Sequence, residues 1–266
     1  MNFSYEIRTL SLISDCTNPK QIHNLLCNAY IHSNSPKYSD IGAIIIVDII
    51  DTIHGIGFFR SYIKKIWTSL NMQETFWHDE IPQSYLSRVQ SYDKEYRVAS
   101  DNNKLISINT PLGIVHDTKS RQIGASGHAG IFSTPHDIAI FCEALLNYSI
   151  ISKVTINSYI TSSKYDTYAI DYNQHYGLLC YKKTDNDKTS EIPLNCNNNC
   201  IAISGYTGCY LLIDFDNDKF FFIGSNRIYN RITSKDSQSI EELKNTSEYV
   251  YRKDALRNLL VACEQQ

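Results

Sequence analysis

Three short segments of the sequence carry residue types that transfer protons in enzymes. Residues 38–42 (Tyr-Ser-Asp-Ile-Gly) place a phenol, a hydroxyl and a carboxylate directly before an apolar run. Residues 113–117 (Gly-Ile-Val-His-Asp) and 124–134 (Gly-Ala-Ser-Gly-His-Ala-Gly-Ile-Phe-Ser-Thr) combine imidazole and carboxylate groups with closely spaced glycines. Residues 205–208 (Gly-Tyr-Thr-Gly) lead into a β-rich run. Phenol, imidazole and carboxylate side chains are common general acids and bases, so these segments are candidates for a catalytic cleft.

Each segment also has an ordinary structural interpretation. Tyr-Ser-Asp before an apolar helix is a common helix cap, and a Thr-Gly pair beside a strand is a weak signal. Gly127 and Gly130 predict a tight loop with positive φ, and we expect His128 to be hydrogen-bonded inside that loop. His116 and Asp117 are likewise predicted to be scaffold. The order and spacing of the segments therefore carry more weight than any one segment.

In this order, the three segments resemble class C β-lactamases, low-molecular-weight penicillin-binding DD-peptidases and related esterases. Residues 38–40 resemble the Tyr-x-Asn element of that family in its Tyr-Ser-Asp form. Residues 113–117 and 124–134 are very close to the Val-His-Asp and Gly-His-Ala-Gly-Leu-Phe-Ser segments of the DD-peptidase and esterase branch. Residues 206–208, with Ser-Asn-Arg at 225–227, resemble the Lys-Thr-Gly or His-Thr-Gly strand and the hairpin after it. The resemblance covers essentially the whole chain.

The resemblance implies a role for several residues. Tyr38 is the candidate base that relays the proton of a serine nucleophile, and Asp40 stands at the Asn position beside it. Thr207 and Gly208 imply a substrate-binding strand, and the backbone amide of Cys209 implies an oxyanion donor. The implied reaction is acyl transfer on a small molecule or a peptidoglycan-like substrate: a β-lactam, a D-Ala-D-Ala peptide or an ester. We expect no cofactor.

The chain departs from the family pattern in two places. In the family, Ser-x-x-Lys lies upstream of the Tyr element, but here only 37 residues precede Tyr38, and they resemble the stretch after the nucleophile helix. Residues 61–64 (Ser-Tyr-Ile-Lys) follow the Tyr element on a predicted amphipathic surface helix, so we interpret that match as coincidental. Residues 17–20 (Thr-Asn-Pro-Lys) contain a proline, which argues against the required helical turn. Tyr206 replaces the expected Lys or His and removes a cation that would meet a substrate carboxylate.

These departures predict an N-terminally truncated chain that lacks its nucleophile. We expect a pseudoenzyme that is inactive alone. Because the chain nevertheless resembles a serine hydrolase, whether it is an enzyme is left open. The alternatives are a non-catalytic remnant or interaction module, and one half of a split hydrolase.

The hydrophobic pattern predicts the elements that position these residues. It predicts helices and, after residue 175, antiparallel strands. The helices are expected at 41–53, 57–70, 133–146 and 239–263, and the strands at 176–181, 201–204, 209–213 and 219–223. Residues 20–30 carry a further apolar run. Residues 80–112 are predicted to be a long surface excursion.

The predicted fold is α/β (α+β), with an antiparallel sheet flanked by helices plus a helical subdomain, as in β-lactamases and transpeptidases. We predict one partial domain over residues 1–266, mostly helical over 1–170, with the sheet strands and a C-terminal helix over 171–266. The N-terminal strands and the nucleophile helix are expected to be missing. The strand at 219–223 should then be an exposed sheet edge through which the chain self-associates.

Composition limits the partners. A net charge of −3 and a pI near 6.2 give no electrostatic footprint for nucleic acid. The longest apolar run, residues 41–50, is about half the ~20 residues of a membrane-spanning helix, so no transmembrane segment is expected. The start lacks the features of a secretory signal, whereas relatives often act outside the cytoplasm, so the localisation is left unknown. Cys196 and Cys200 could form a metal clip or a disulfide; without a second pair at ligand spacing, we expect no metal.

Overall fold

The structure is a computed structural model of the chain. It describes residues 16, 18–28, 39–90, 95–98, 105–108, 110–124, 126–169, 174–178, 180–184, 191–193, 195–226 and 232–233. Tyr38 and the helix predicted at 239–263 lie outside these residues.

The helices predicted at 41–53, 57–70 and 133–146 are confirmed as α2 Ile41–His54, α3 Phe58–Ser69 and α5 Pro135–Leu146. The described residues also contain three helices that were not predicted: α1 Pro19–Cys27, α4 Thr118–Ile123 and α6 Lys153–Thr155. Short 3₁₀ helices occupy Gln83–Arg88 and Ser163–Tyr165, and a π-helical turn occupies Ile156–Ile160. Thr134 caps α5 by accepting the amide of Asp137, with a proline in the first turn, as the sequence predicts.

A sharp elbow separates α2 from α3. Gly55 and Gly57 have positive φ, which ends α2 and allows the chain to turn. The carboxylate of Asp51 accepts the amides of Gly57 and Phe59 at 2.9 and 2.8 Å, so it satisfies the free donors at the start of α3. The two helices meet at 97°.

The main sheet has six antiparallel strands. Its order is β10-β9-β8-β7-β6-β5. The strands are β5 Thr167–Ala169, β6 Gln174–Tyr176, β7 Tyr181–Lys182, β8 Cys200–Ser204, β9 Tyr210–Asp214 and β10 Lys219–Ile223. The polar hairpin between β9 and β10 is confirmed: the Asp214 carboxylate accepts the amides of Asp216 and Asn217. Strand β10 pairs only with β9, so it is a sheet edge within the part of the chain that the structure describes.

Two sequence expectations about strands are wrong. The run predicted as one strand at 176–181 is divided, because β6 ends at Tyr176 and β7 begins at Tyr181. Between them the Gly177 amide donates to the Cys180 carbonyl at 2.9 Å, and Gly177 is the residue that interrupts the apolar run. The predicted excursion at 80–112 contains an antiparallel pair, β2 Glu95–Val98 and β3 Leu105–Ile108.

β11 Ile232–Thr233 pairs in parallel with β2, a long-range pairing that local sequence does not reveal. A further short pair joins β1 Phe76–Trp77 to β4 Ile131–Phe132.

Helix α5 lies between the sheet and the helical part. On one side, apolar residues of α5 pack in a cluster with Ile213 of β9 and with Phe215, which directly follows β9. Ile140 and Phe141 pack against a cluster formed by Trp67, Met72 and Trp77. At the start of α5, the buried Asp137 carboxylate accepts the Glu74 amide at 2.8 Å and the Thr75 hydroxyl at 2.7 Å. This carboxylate fixes the helix to the turn that precedes β1.

Candidate active site

The first predicted segment lies at the start of α2. Ser39 Oγ accepts the Ile41 amide at 3.3 Å, so the hydroxyl acts as the helix cap that the sequence allowed. The Asp40 carboxylate makes no such cap; its Oδ2 lies 3.8 Å from Lys119 Nζ on α4. The Asp40–Lys119 pair therefore connects the first segment to the second.

The second segment is closed by a buried chain of hydrogen bonds. Asp117 caps α4 by accepting the Ser120 amide at 2.7 Å. His128 Nε2–H donates to Asp117 Oδ1 at 3.0 Å, and His128 Nδ1 hydrogen-bonds with Ser126 Oγ at 2.8 Å. The His128 side chain is only 5% exposed. His128 is thus hydrogen-bonded inside the loop, as the sequence predicts.

The environment of Asp117 favours its ionised form. Burial alone raises the pKa of the carboxyl, but the hydrogen bonds from His128 and from the Ser120 amide, with the charges of His128 and Lys119, outweigh burial. The pKa of Asp117 is therefore held well below its ordinary value. The ionised carboxylate in turn fixes Nε2 as the protonated nitrogen of His128.

The glycine loop after Asp117 lies directly on α2. Gly127 has φ +81°, and a Cβ at this position would lie 2.8 Å from Val47 Cγ2 and 3.1 Å from the Ala43 carbonyl oxygen. Only a residue without a side chain permits this backbone conformation together with such a close approach. The contact holds the second segment against the helix that begins at Asp40.

The third segment is a turn rather than part of a strand. β8 ends at Ser204 and β9 begins at Tyr210. Between them the Gly208 amide donates to the Gly205 carbonyl at 3.0 Å, and the Gly205 amide donates to the Cys209 carbonyl at 2.7 Å. The strands predicted at 201–204 and 209–213 leave residues 205–208 between them, and the structure confirms this interruption. The strand that the resemblance implies for Thr207 and Gly208 begins only at Tyr210, because Gly208 takes φ +105° and the chain reverses there.

The turn meets the second segment through an aromatic contact. The ring of Tyr206 stacks on His116, with centroids 5.5 Å apart and planes at 21°. Arg121 Nη2 donates to the His116 carbonyl at 2.9 Å, which holds that residue in place. Ser225 Oγ donates to the Gly208 carbonyl at 2.8 Å, so Ser225 supports the turn. Asp40, Tyr206 and the residues of the second segment are thus linked through contacts around α4.

The Ser-x-x-Lys at residues 61–64 is engaged outside this group of contacts. Ser61 Oγ donates to the Phe58 carbonyl within α3 at 3.0 Å, and Lys64 Nζ donates to Glu80 at 2.6 Å. Its hydroxyl and amine therefore have other partners. Sequence reasoning also missed a second match, Ser91-Tyr92-Asp93-Lys94, which a simple scan finds and which lies outside the described residues.

Sequence reasoning also missed Lys119 and Arg121. Both lie on α4, directly after Asp117, and their contacts join segments that are far apart in the chain. Among the described residues, no three His, Cys, Asp or Glu side chains come together in a group that could hold a metal ion. Within the same residues, no helix on its own has the length and apolar character needed to cross a membrane.

The Gly127 contact predicts unequal effects for two glycine-to-alanine changes. Gly127→Ala should destabilise the protein by about 2–4 kcal/mol, because it combines a strained φ with a clash against α2. Gly42→Ala is the matched control on α2 itself: its Cβ would meet no atom within 4 Å. It should be neutral or stabilise the helix by up to about 1 kcal/mol. Urea unfolding measures both; equal effects would contradict the packing described here.

The low pKa of Asp117 predicts a pH-dependent contribution to stability. Above about pH 4, the ordinary pKa of an aspartate, the contribution is complete, and it is lost as the pH falls toward the lower folded pKa. Asp117→Asn should therefore cost about 2 kcal/mol near neutral pH and progressively less below pH 4. His128→Gln should reduce the same pH dependence. The measurement is the free energy of unfolding between pH 7 and pH 3, and curves that stay parallel would contradict the prediction.

The chain is similar to known proteins of one family. The β-lactamase family pattern matches residues 28–243. A protein from Salmonella heidelberg (strain SL476) that carries the name D-alanyl-D-alanine carboxypeptidase is 31% identical over 117 residues. That match covers 41% of this chain and 26% of the Salmonella protein, so the chain matches only about a quarter of that relative's length. A protein of the same name from Salmonella newport (strain SL254) is 30% identical over the same number of residues.

A solved structure shows the same fold. The D-amino acid amidase from Ochrobactrum anthropi SV3 superposes with a TM-score of 0.54 at 17% identity, over 99% of this chain and 69% of the amidase. The mixed fold of helices and an antiparallel sheet is therefore the β-lactamase and transpeptidase type that the sequence predicts. Because the family pattern spans most of the sequence, the chain belongs to the β-lactamase family of serine hydrolases.

Proposed function

We propose that this chain forms the scaffold of an acyl-transfer site and does not complete the reaction alone. The observation that supports this most is the linkage of the segments around α4, through Asp40–Lys119 and His116–Tyr206. A scaffold of this kind can orient a substrate and hold the groups that move its protons. The Ser-x-x-Lys at residues 61–64 does not complete it, since Ser61 and Lys64 are bonded to Phe58 and Glu80.

In the completed site, each residue takes the role that the family implies. Tyr38 accepts the proton of a serine supplied by a Ser-x-x-Lys segment. Asp40, at the start of α2, helps to position Tyr38. The Cys209 amide donates to the developing oxyanion, and Thr207 and Gly208 border the substrate. Losing one oxyanion donor typically costs about 3 kcal/mol of transition-state stabilisation. The two halves together would constitute a split serine hydrolase.

The third segment bears on the substrate. Tyr206, half exposed, presents a phenol ring where the family has a cation. A substrate carboxylate would gain no ion pair from this residue, whereas an uncharged ester or amide loses nothing by the change. Among a β-lactam, a D-Ala-D-Ala peptide and a small ester, we therefore favour the small ester, which needs no carboxylate partner.

The proposal predicts no covalent reaction of the isolated chain with serine-directed probes. Incubation with a fluorescent penicillin or a fluorophosphonate, followed by intact mass measurement, should show no stoichiometric adduct. A serine hydroxyl without an adjacent base is a poor nucleophile near neutral pH. A relative's N-terminal segment carrying Ser-x-x-Lys, added in trans, should produce labelling, and Tyr38→Phe should slow it by about 10²–10⁴-fold.

Variants of both internal Ser-x-x-Lys matches keep this test decisive. Ser61→Ala and Ser91→Ala remove the two candidate hydroxyls, and an active serine hydrolase in the same experiment confirms that the probes react. Stoichiometric labelling of the unmodified chain that disappears in either variant would show that the nucleophile lies in this sequence.

A second candidate function is an interaction module, favoured by strand β10, which within the described residues pairs on one side only. Strand β10 has Phe220, Phe221 and Phe222 in succession and one charge, Lys219, at its end. Where no strand of the same chain covers it, such an edge presents backbone donors and acceptors to another chain, and a single terminal charge protects it little. We propose that copies of this chain pair through β10.

The open edge predicts self-association that a charge at the edge reduces. Light scattering of the chain expressed alone should show oligomers or aggregates, and Phe222→Lys should shift it toward monomer. Ile53→Lys, at an exposed apolar position of α2, is the matched control and should leave the size unchanged. A monodisperse monomer that melts cooperatively above about 55 °C would show that the edge is closed.

A further inference from the structure

Cys196 and Cys200 form a buried pair of thiols beside the main sheet. Cys200 is the first residue of β8 and is 0% exposed, and Cys196, four residues earlier, is 9% exposed. Both are free thiols, and Cys196 is a cause of the raised pKa of Cys200. Both belong to the apolar cluster formed with Ile192, Ala202 and Tyr210 on one face of the sheet.

The backbone around the pair is anchored on both sides. The Cys196 amide donates to the Pro193 carbonyl at 3.1 Å, and Lys183 Nζ donates to the Cys196 carbonyl at 2.5 Å. Cys200 lies opposite Asp214 in the β8–β9 ladder. The two side chains therefore have fixed backbone positions within one buried cluster, and a disulfide between them requires their Cα atoms to lie within about 7 Å.

The chemistry of the two thiols differs. The hydrogen bond with Cys196, burial and the charge of Asp214 raise the pKa of Cys200 far above its ordinary value. Cys200 is therefore the poorer initial nucleophile. Cys196 is the less deeply buried of the two, so we expect an oxidant to react with its sulfur first. Among the described residues, no group of three potential metal ligands includes the pair.

We propose that Cys196 and Cys200 are a redox modification site, which a small disulfide such as oxidised glutathione converts into an intrachain disulfide. Cys196 loses its proton to water and attacks one sulfur of the oxidant, which breaks the oxidant's S–S bond and releases one thiol. Cys200 then loses its proton and attacks the Cys196 sulfur of the mixed disulfide, releasing the second thiol. Two protein thiols are oxidised, and one small disulfide is reduced to two thiols.

The disulfide would secure the segment that covers this face of the sheet. The closed loop contains five residues, from Cys196 to Cys200, and restrains the unfolded chain modestly because it is short. The segment before it is already tied to β9, since the Tyr210 hydroxyl donates to the Glu191 carbonyl at 2.6 Å. Oxidation should therefore raise the melting temperature by a few degrees. This inference does not depend on the proposed acyl-transfer function.

The experiment equilibrates the native, reduced chain with glutathione buffers of increasing oxidised fraction. Free thiols are then trapped by N-ethylmaleimide in denaturant and mapped by peptide mass. We expect the peptide with Cys196 and Cys200 to lose two hydrogens and to take up no maleimide. The exposed Cys27 should carry glutathione at the oxidising end, which shows that the oxidant is active.

Serine variants separate the proposed pair from other reactions. Cys196→Ser should leave Cys200 free for maleimide, and Cys200→Ser should leave Cys196 as a stable mixed disulfide with glutathione. Cys142→Ser, at a buried cysteine of α5, should leave closure unchanged. The inference is overturned if Cys196 and Cys200 both take up maleimide in buffers where Cys27 carries glutathione, or if either cysteine pairs with a different one.

Discussion

The hydrogen bond between His128 and Asp117 is the contact on which the candidate site depends. It is only 3.0 Å long and lies where water has little access, so the ionised carboxylate and the imidazole interact more strongly than they would at the surface. Asp117 also begins α4, and the loop that carries His128 lies on α2. One carboxylate thus fixes the start of a helix and the position of a loop, and Lys119 and His116 reach their partners because α4 is held there.

The wider fold supports this arrangement through helix α5. Phe141 packs both against the sheet side and against the tryptophan cluster, so the two apolar clusters share one helix. Asp137 fixes the helix start with two hydrogen bonds from the turn before β1. Leaving a buried carboxylate without its hydrogen-bond donors costs free energy. The Asp137 junction therefore resists sliding of the helical part over the sheet. The site therefore lies on a rigid base rather than on independent loops.

Local patterns explain what the sequence could predict. The cap at Thr134, the positive φ of Gly127 and the polar hairpin after Asp214 are each set by neighbouring residues, and the structure has all three. The features that the sequence could not predict depend on where elements lie in the fold. Lys119 gains its role only because α4 lies beside α2. The family resemblance implied a strand at Thr207 and Gly208, whereas the hydrophobic pattern left 205–208 between two strands. The parallel pairing of β11 depends on a partner more than a hundred residues away.

Strand β8 connects the cysteine pair with the third segment of the site. It begins at Cys200 and ends at Ser204, directly before the turn that carries Tyr206. Five residue pairs join it to β9, so a displacement at one end would have to strain the whole ladder to reach the other. The turn is also closed by its own hydrogen bonds, including the 2.7 Å contact between Gly205 and Cys209. A disulfide at Cys200 would therefore change the free energy of unfolding while leaving the stacking of Tyr206 on His116 in place.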